Sequence, residues 1–215
     1  MVVLAAGAGL RLGGVPKCLI TIGNETLLER LLRAIEPLRP RCLVLVLGHH
    51  AEAVERALER SPGRRPRCIR NLSPGSEPSD SVRLGLNALE AGAPGVMLLL
   101  ADLPLLDTQD LQTAWDAFHR RPAGTQVLVP QVGDVPGHPV VLTPGLARTL
   151  AEDSAPSLKE WRKAHPQGTY HWHTSNRHHV TDLDTPEDLQ CLQDHTGLPC
   201  RLPGLTETTQ SPSAA

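Results

Sequence analysis

Four short aliphatic runs constrain this chain more than any other feature. Residues 1–5, 42–47, 96–101 and 126–130 are apolar almost without interruption, and each is only strand-sized. A strand covered on one face alternates apolar with polar residues, whereas one covered on both faces reads as a continuous apolar run. Between these runs lie helical patterns near 25–36, 50–60, 80–91 and 108–120. Asp107 is placed to cap the last of these, with Asp110 in its first turn. Strands alternating with helices predict an α/β fold: a single-domain, three-layer α/β/α sandwich around a mostly parallel twisted sheet. In such sheets ligands bind beyond the carboxyl ends of the strands.

The pattern loosens after residue 131. Val140–Leu142 reads as a strand and Leu158 to Ala164 as helical. Thr185 caps a last helix that opens on Pro186, Glu187 and Asp188. Residues 1–195 are therefore expected to form one domain. Residues 196–215, rich in Pro, Thr, Ser and Gly, are expected to be a disordered tail.

Composition excludes several partners. One Phe, one Tyr and three Trp leave too few aromatic platforms for stacking single-stranded nucleic acid. A net charge of −2 gives no general grip on nucleic acid or anionic lipid. The five cysteines are odd in number and form no CxxC pair, which suggests neither a disulfide framework nor a zinc ribbon. They read as reduced thiols. The start of the chain lacks a basic region before its apolar run, so it is not expected to be a signal peptide. No apolar run is long enough to span a membrane. A cytoplasmic location is the expectation.

The most informative segment follows the first strand: Leu4–Ala5–Ala6–Gly7–Ala8–Gly9–Leu10–Arg11–Leu12–Gly13–Gly14–Val15–Pro16–Lys17. Small residues let backbone N–H groups approach a polyphosphate, and Arg11 and Lys17 add positive charge for it. A dinucleotide fingerprint starting at Gly7 needs Gly at position 12, where Leu12 stands. A P-loop starting at Gly9 needs Lys at position 15, where Val15 stands. An ordinary glycine turn explains the glycines alone but not the two cations.

LAAGxGxRxG followed by Pro–Lys resembles the signature of nucleotidyltransferases with a glycosyltransferase-A-like, Rossmann-like fold. Within that group the chain looks most like the molybdenum cofactor cytidylyltransferases, over about residues 1–193. The resemblance implies that Leu4, Ala5, Ala6, Gly7, Gly9, Arg11 and Lys17 bind a nucleoside triphosphate, with CTP favoured. It also implies that Arg11, Lys17 and Asp102 act in catalysis.

Asp102 ends the run Val96–Ala101, where a carboxylate faces the ligand crevice and suits Mg²⁺. The alternative is an Asp that merely begins a loop. Ala101–Asp102–Leu103–Pro104 is similar to the family's metal motif, which favours the ligand. Asp182 and Asp184 point the same way if their segment is extended, and either can complete the site. The resemblance of Asp182–Asp188 to DxDTPED favours Asp184.

Asn71, Ser79 and Ser81 lie in a stretch similar to the family's base and sugar contacts. Capping of a helix by Ser79 or Asp80 is the competing reading. Pro136–Val140 looks like the family's GHPV segment, which places His138 near the acceptor, although a lone His is more often structural. His171, His173, His178 and His179 read as structural or exposed rather than as zinc ligands. Gly48–Glu52 reads as architecture. One departure concerns the acceptor: where the family carries GDxGAR, this chain has Glu152–Lys159, with Lys159 the only retained cation.

Three functions are consistent with these residues. The first is transfer of CMP from CTP to a phosphorylated acceptor, molybdopterin, with Mg²⁺ and with transient contact to a molybdoenzyme or chaperone. The second is a sugar- or alditol-phosphate nucleotidyltransferase on the same fold. The third is a non-catalytic nucleotide-binding or cofactor-delivery protein. Retention of Arg11, Lys17, Asp102 and Asp184 argues against the third.

Overall fold

The computed structural model describes residues 1–61, 63, 65–73 and 77–204. The chain opens with strand β1 (Val2–Ala5), then a short hairpin of β2 (Thr21–Ile22) and β3 (Glu25–Thr26), and helix α1 (Leu27–Ile35). Next come β4 (Val44–Leu47), α2 (Ala51–Arg60), β5 (Arg67–Arg70) and α3 (Pro78–Asn87). They lead to β6 (Val96–Leu100), α4 (Thr108–His119), β7 (Val127–Val132), β8 (Val135–Pro136) and β9 (Val140–Leu142). The remainder is α5 (Pro144–Ala151), α6 (Leu158–Ala164), β10 (Thr169–His173), α7 (Pro186–Thr196) and β11 (Cys200–Arg201).

The main sheet runs β10-β7-β9-β6-β1-β4-β5, with β8 paired to β7. Strands β6, β1, β4 and β5 are mutually parallel, as are β7 and β10, while β9 is inserted antiparallel between β6 and β7. Strand alternation distributes the core. Val3, Leu45, Leu47, Met97 and Leu99 pack on one face against α1, α2 and α4. Val2, Val44, Val46, Val96 and Leu98 pack on the other against α3, α5 and α6. Both faces are covered, which is why the strands read as unbroken apolar runs. The fold is the expected three-layer sandwich.

The caps follow local chemistry. Asp107 and Asp110 form a reciprocal capping box at α4, and Thr185 and Asp188 do so at α7. Helix α3 departs from expectation. It starts at Pro78 with Glu77 in the cap position, so neither Ser79 nor Asp80 caps it. Pro at the first helical position needs no N–H partner, which moves the start upstream. Asp80 instead pairs with Arg83 at 2.7 Å. Pro74 and Gly75, expected in a polar loop, lie outside the described residues.

The expected tail also differs at its beginning. Gly197 ends α7 at φ 67°, and Cys200–Arg201 then pair antiparallel with β2. Regular backbone therefore extends past residue 196, and residues 205–215 lie outside the described residues. The small sheet covers a third core of Leu12, Ile20, Ile22, Leu27, Leu183 and Leu192. That core underlies the glycine-rich turn and the acidic segment together.

The sheet leaves no room beneath α3. A Cβ at Gly85 would stand 2.4 Å from Val2 Cγ1 and 2.9 Å from Val46 Cγ2. Gly→Ala inside a helix ordinarily stabilises by about 1 kcal/mol, but overpacking a core costs about 1–3 kcal/mol. Gly85→Ala is expected to lower the urea midpoint, a net loss of about 1 kcal/mol. Gly145→Ala in α5, with nothing within 4 Å of the added carbon, should not. An unchanged midpoint for Gly85→Ala would show that α3 can lift off the sheet.

Candidate active site

Strand order places the crevice. From β1 the chain moves to β4 and β5 on one side and then returns to β6 on the other; the turns after β1 and β4 lead to α1 and α2 on one face, whereas the turn after β5 leads to α3 on the other. A cavity of about 350 Å³ opens there. Leu4, Ala6, Gly7 and Ala8 line it from the β1 turn, and Gly48 and His49 from the β4 turn. Asn71, Ser73 and Ser81 close one wall, and Leu100 and Asp102 the other. A cavity of similar size, about 330 Å³, lies at the amino ends of the strands beside Met1, Cys42 and Trp115, and holds none of the expected site residues.

The glycine-rich turn is closed by its own backbone. The Gly9 carbonyl accepts from Leu12 N–H at 3.0 Å and Gly14 N–H at 2.9 Å. Gly9 has φ 64°, and a Cβ there would stand 2.0 Å from the Val15 carbonyl oxygen, so only glycine fits. Gly7 is different, with open space where its Cβ would be. The turn is also tied to its neighbour. His49 Nδ1 lies 3.3 Å from the Ala6 carbonyl oxygen and His50 Nε2 lies 3.1 Å from that of Ala8. The Gly48–His50 segment, read from sequence as architecture, thus both pins the turn and contributes His49 to the cavity.

The charged residues meet around Asp102, which lines this cavity and, with Lys17, a smaller one beside it. Lys17 Nζ donates to Asp102 Oδ2 at 3.0 Å and makes a short contact with Asp184 Oδ1. Arg11 Nη1 donates to Asp184 Oδ2 at 2.5 Å. Burial alone would lower the Lys17 pKa, but the bond to Asp184 and the charge of Asp102 outweigh it and raise the value. Asp102 Oδ1 is buried and has no hydrogen-bond partner.

Asp102 and the acidic segment are joined by backbone. Leu183 N–H donates to the Asp102 carbonyl at 3.2 Å, and the Leu183 side chain is fully buried in the third core. Its two neighbours are thereby held at the site. Asp184 reaches Lys17 and Arg11. Asp182 is pushed above the ordinary carboxylate range by burial and by the charges of Asp184 and Asp102. The three acids and two cations expected from the sequence therefore share one place.

Other expected residues fall as follows. Ser81 is buried, and its Oγ accepts from Asn71 Nδ2 at 3.1 Å. Ser79 lies outside the cavity lining. His138 donates its backbone N–H to the His179 carbonyl at 2.8 Å, and its own carbonyl accepts from His179 Nδ1 at 2.7 Å. The His138 ring nitrogen Nδ1 is buried without a partner. His178 Nδ1 bonds to Asp110 at 2.8 Å, while His171 and His173 are exposed on β10.

Ligand atoms of Asp107, Asp110 and His178 come within 4.8 Å of one another, a grouping not anticipated from sequence. Asp110 there already completes the α4 capping box and accepts from Asn176 as well as pairing with His178. These bonds anchor the 176–179 turn to α4.

A family model described as a MobA-like NTP transferase domain matches residues 1–169. The chain belongs to the MobA-like NTP transferase family. It is 33% identical over 172 residues to the bifunctional protein GlmU of Mycobacterium marinum, a match covering 76% of this chain and 35% of that relative. The chain thus spans about a third of the length of the curated relatives it matches. Among solved structures it is similar to Rv0371c from Mycobacterium tuberculosis H37Rv, with TM-score 0.70 and 26% identity over 90% of this chain and 96% of that one. Rv0371c has also been solved in complex with manganese, at TM-score 0.68 and 24% identity, over 90% of this chain and 96% of that one. The fold matches molybdopterin-guanine dinucleotide biosynthesis protein A from Archaeoglobus fulgidus at TM-score 0.62 and 17% identity, over 91% of this chain and 97% of that one. Among the described residues no helix is long and apolar enough to cross a membrane.

The histidines behind the site make stability depend on pH. Burial holds His179 and His138 below the ordinary imidazole value of 6.5. The folded chain keeps them neutral where the unfolded chain takes up protons, so their contribution is complete above about pH 6.5 and is lost as pH falls. His179→Gln should flatten the fall in unfolding free energy between about pH 7 and 5. It should cost about 1 kcal/mol at neutral pH. Denaturant titrations at several pH values give both quantities, and an unchanged slope would remove His179 as a source.

Proposed function

We propose that the protein transfers CMP from CTP to a phosphorylated acceptor, a molybdopterin-type cofactor, and releases pyrophosphate. The observation that carries this reading is the ammonium of Lys17 set between Asp102 and Asp184, with Asp102 also lining the glycine-turn cavity. A pure binding site for a nucleotide needs the turn and the cations, but not two carboxylates beside them.

In the transfer, an oxygen of the acceptor phosphate bonds to the α-phosphorus while the bond to the bridging oxygen of the β-phosphate breaks. Pyrophosphate leaves with that electron pair, and no covalent enzyme intermediate is needed. Both reactants are anions, so the protein has to neutralise charge and hold the groups in line. The triphosphate oxygens compete with Asp102 and Asp184 for Lys17 and Arg11. Drawn onto the phosphates, the two cations stabilise the departing pyrophosphate and release the carboxylates.

The acids fit a hard divalent cation. Asp102 has a buried, unpartnered oxygen, and Asp182 is crowded by negative charge. Asp102 and Asp184 would hold Mg²⁺, with Asp182 beside them. When bound, the cation supplies positive charge between triphosphate and acceptor. The manganese complex of Rv0371c is consistent with this assignment. A sugar- or alditol-phosphate acceptor is the second reading, favoured by the loss of the GDxGAR pattern at Glu152–Lys159.

Pyrophosphate release across the four nucleotides, with and without candidate acceptors, tests the activity. CTP should be preferred over GTP by about tenfold, as expected from one or two hydrogen bonds at the base edge. A GTP preference would overturn the assignment. Lys17→Ala and Arg11→Ala should each lose about 2–4 kcal/mol of transition-state stabilisation. Asp102→Asn should weaken Mg²⁺ binding, measured by calorimetry, and cut turnover by orders of magnitude while leaving the chain folded. Asp184→Asn should follow it, with Asp182→Asn milder. Full Mg²⁺-dependent activity in Asp102→Asn would reduce that carboxylate to a loop starter.

A further inference from the structure

Arg162 on α6 is half-buried, and its Nε is fully buried without a hydrogen-bond partner. No carboxylate is paired with it among the described residues, and burial alone acts on its guanidinium, lowering its pKa. Other partly buried arginines are accounted for. Arg83 pairs with Asp80 and two carbonyls, and Arg121 bonds two carbonyls and lies over Phe118; Arg30, whose Nε also lacks a hydrogen bond, has Glu25 as its counter-charge at 3.6 Å. A desolvated cation without a counter-charge is unfavourable unless an anion completes it.

The fold sets this cation on the helix that covers one face of the sheet. Helix α6 is fixed by the Ser157–Glu160 capping box and by Trp161, which packs with Val127, Val129 and Val140 on one face of the sheet. Along β10, Tyr170 and Trp172 pack into the opposite core, so His171 and His173 face the α6 side. His171 pairs with Val129 of β7, and the next residue of β7, Pro130, accepts from Gly137 N–H beside His138. Val140 pairs with Leu98, which sets His138 two residues further along, opposite Leu100 and near Asp102. Electrostatics agree. Burial is the main cause that lowers both His138 and His171; the Arg162 charge lowers both further, and the Asp102 charge acts on His138 in the opposite direction. The unpartnered Nδ1 of His138 and the unpartnered guanidinium thus lie on one side of the site.

We propose that Arg162 is a specificity-determining residue of the acceptor subsite and binds a phosphoryl oxyanion of the acceptor, with His138 and His171 on either side. This rests on the nucleotidyl-transfer reading, in which the acceptor is phosphorylated. An arginine suits the task because its planar fork can grip two oxygens of one phosphate.

The test is titration of the full chain with inorganic phosphate, followed by calorimetry and by the imidazole resonances of His138 and His171. It is run on the free protein and again with the cleft filled by an α,β-non-hydrolysable CTP analogue. The expected result is a phosphate site that survives the analogue, with Arg162→Gln weakening it at least about tenfold, the scale of a lost charged hydrogen bond. Arg162→Lys should retain part of the affinity. Lys17→Ala should weaken the analogue instead and leave this phosphate site intact. Phosphate should shift the two imidazoles in the native chain and not in Arg162→Gln. Equal phosphate affinity in native chain and Arg162→Gln overturns the proposal, as does a site lost once the cleft is filled. If Arg162→Gln does not fold, Arg162→Lys and the imidazole shifts of the native chain decide by the same criteria. Failure of the analogue to bind the native chain would instead overturn the nucleotide reading, and the titration of the free protein would still judge Arg162.

Discussion

The site depends on one ammonium group between two carboxylates. Asp102 ends a central strand and Asp184 precedes the last helix, and Lys17 holds both. Two acids brought this close repel one another, and Asp182 beside them is held above the ordinary carboxylate range by burial and then by the charges of Asp184 and Asp102. Lys17 and Arg11 compensate that charge. The side chains of Lys17, Asp102 and Asp184 remain 18%, 23% and 33% exposed, so solvent screens the pairs and they can exchange partners. A fully buried triad would be too costly to open. The same exposure lets an anionic ligand compete for the two cations.

This arrangement is held by apolar packing. Leu183 separates Asp182 from Asp184 and is buried with Leu12, Ile20, Ile22, Leu27 and Leu192. Leu12 belongs to the glycine-rich turn and Leu192 to α7, so one small core fixes both partners of the ion pairs. The backbone bond from Leu183 to Asp102 adds the third. His49 and His50 hold the turn from the other side, through the carbonyls of Ala6 and Ala8. The charged groups are thus positioned by elements that carry no charge of their own.

Much of the fold was legible because its signals are local. The four buried strands showed as apolar runs, and Asp107 and Thr185 as caps with an acid three residues later. Other elements were misread or went unread for equally local reasons. Helix α3 begins at Pro78, where Ser79 and Asp80 offered a more familiar cap. Helix α5 has a clear Thr143–Pro144 start but is only eight residues long. Strands β2, β3 and β11 are two residues each, too short for any periodicity to register.

Sequence by itself determined the sandwich, the phosphate-compatible turn and the identity of the five charged residues at the site. The sandwich and the turn are written in side chains whose preferences act at short range, and the five charged residues stood out through short motifs that resemble those of a known family. Tertiary structure alone decided which charges meet. Lys17 lies 85 residues from Asp102 and 167 from Asp184, and no local preference encodes a contact across that distance. It likewise decided that Gly9 is demanded by the Val15 carbonyl while Gly7 faces open space. The isolation of Arg162 was also beyond sequence, since an arginine without a counter-ion is recognised only when every neighbour is in place. The physical reason is the same throughout: burial and electrostatics depend on distances in space, and the sheet order that sets those distances is a property of the folded chain.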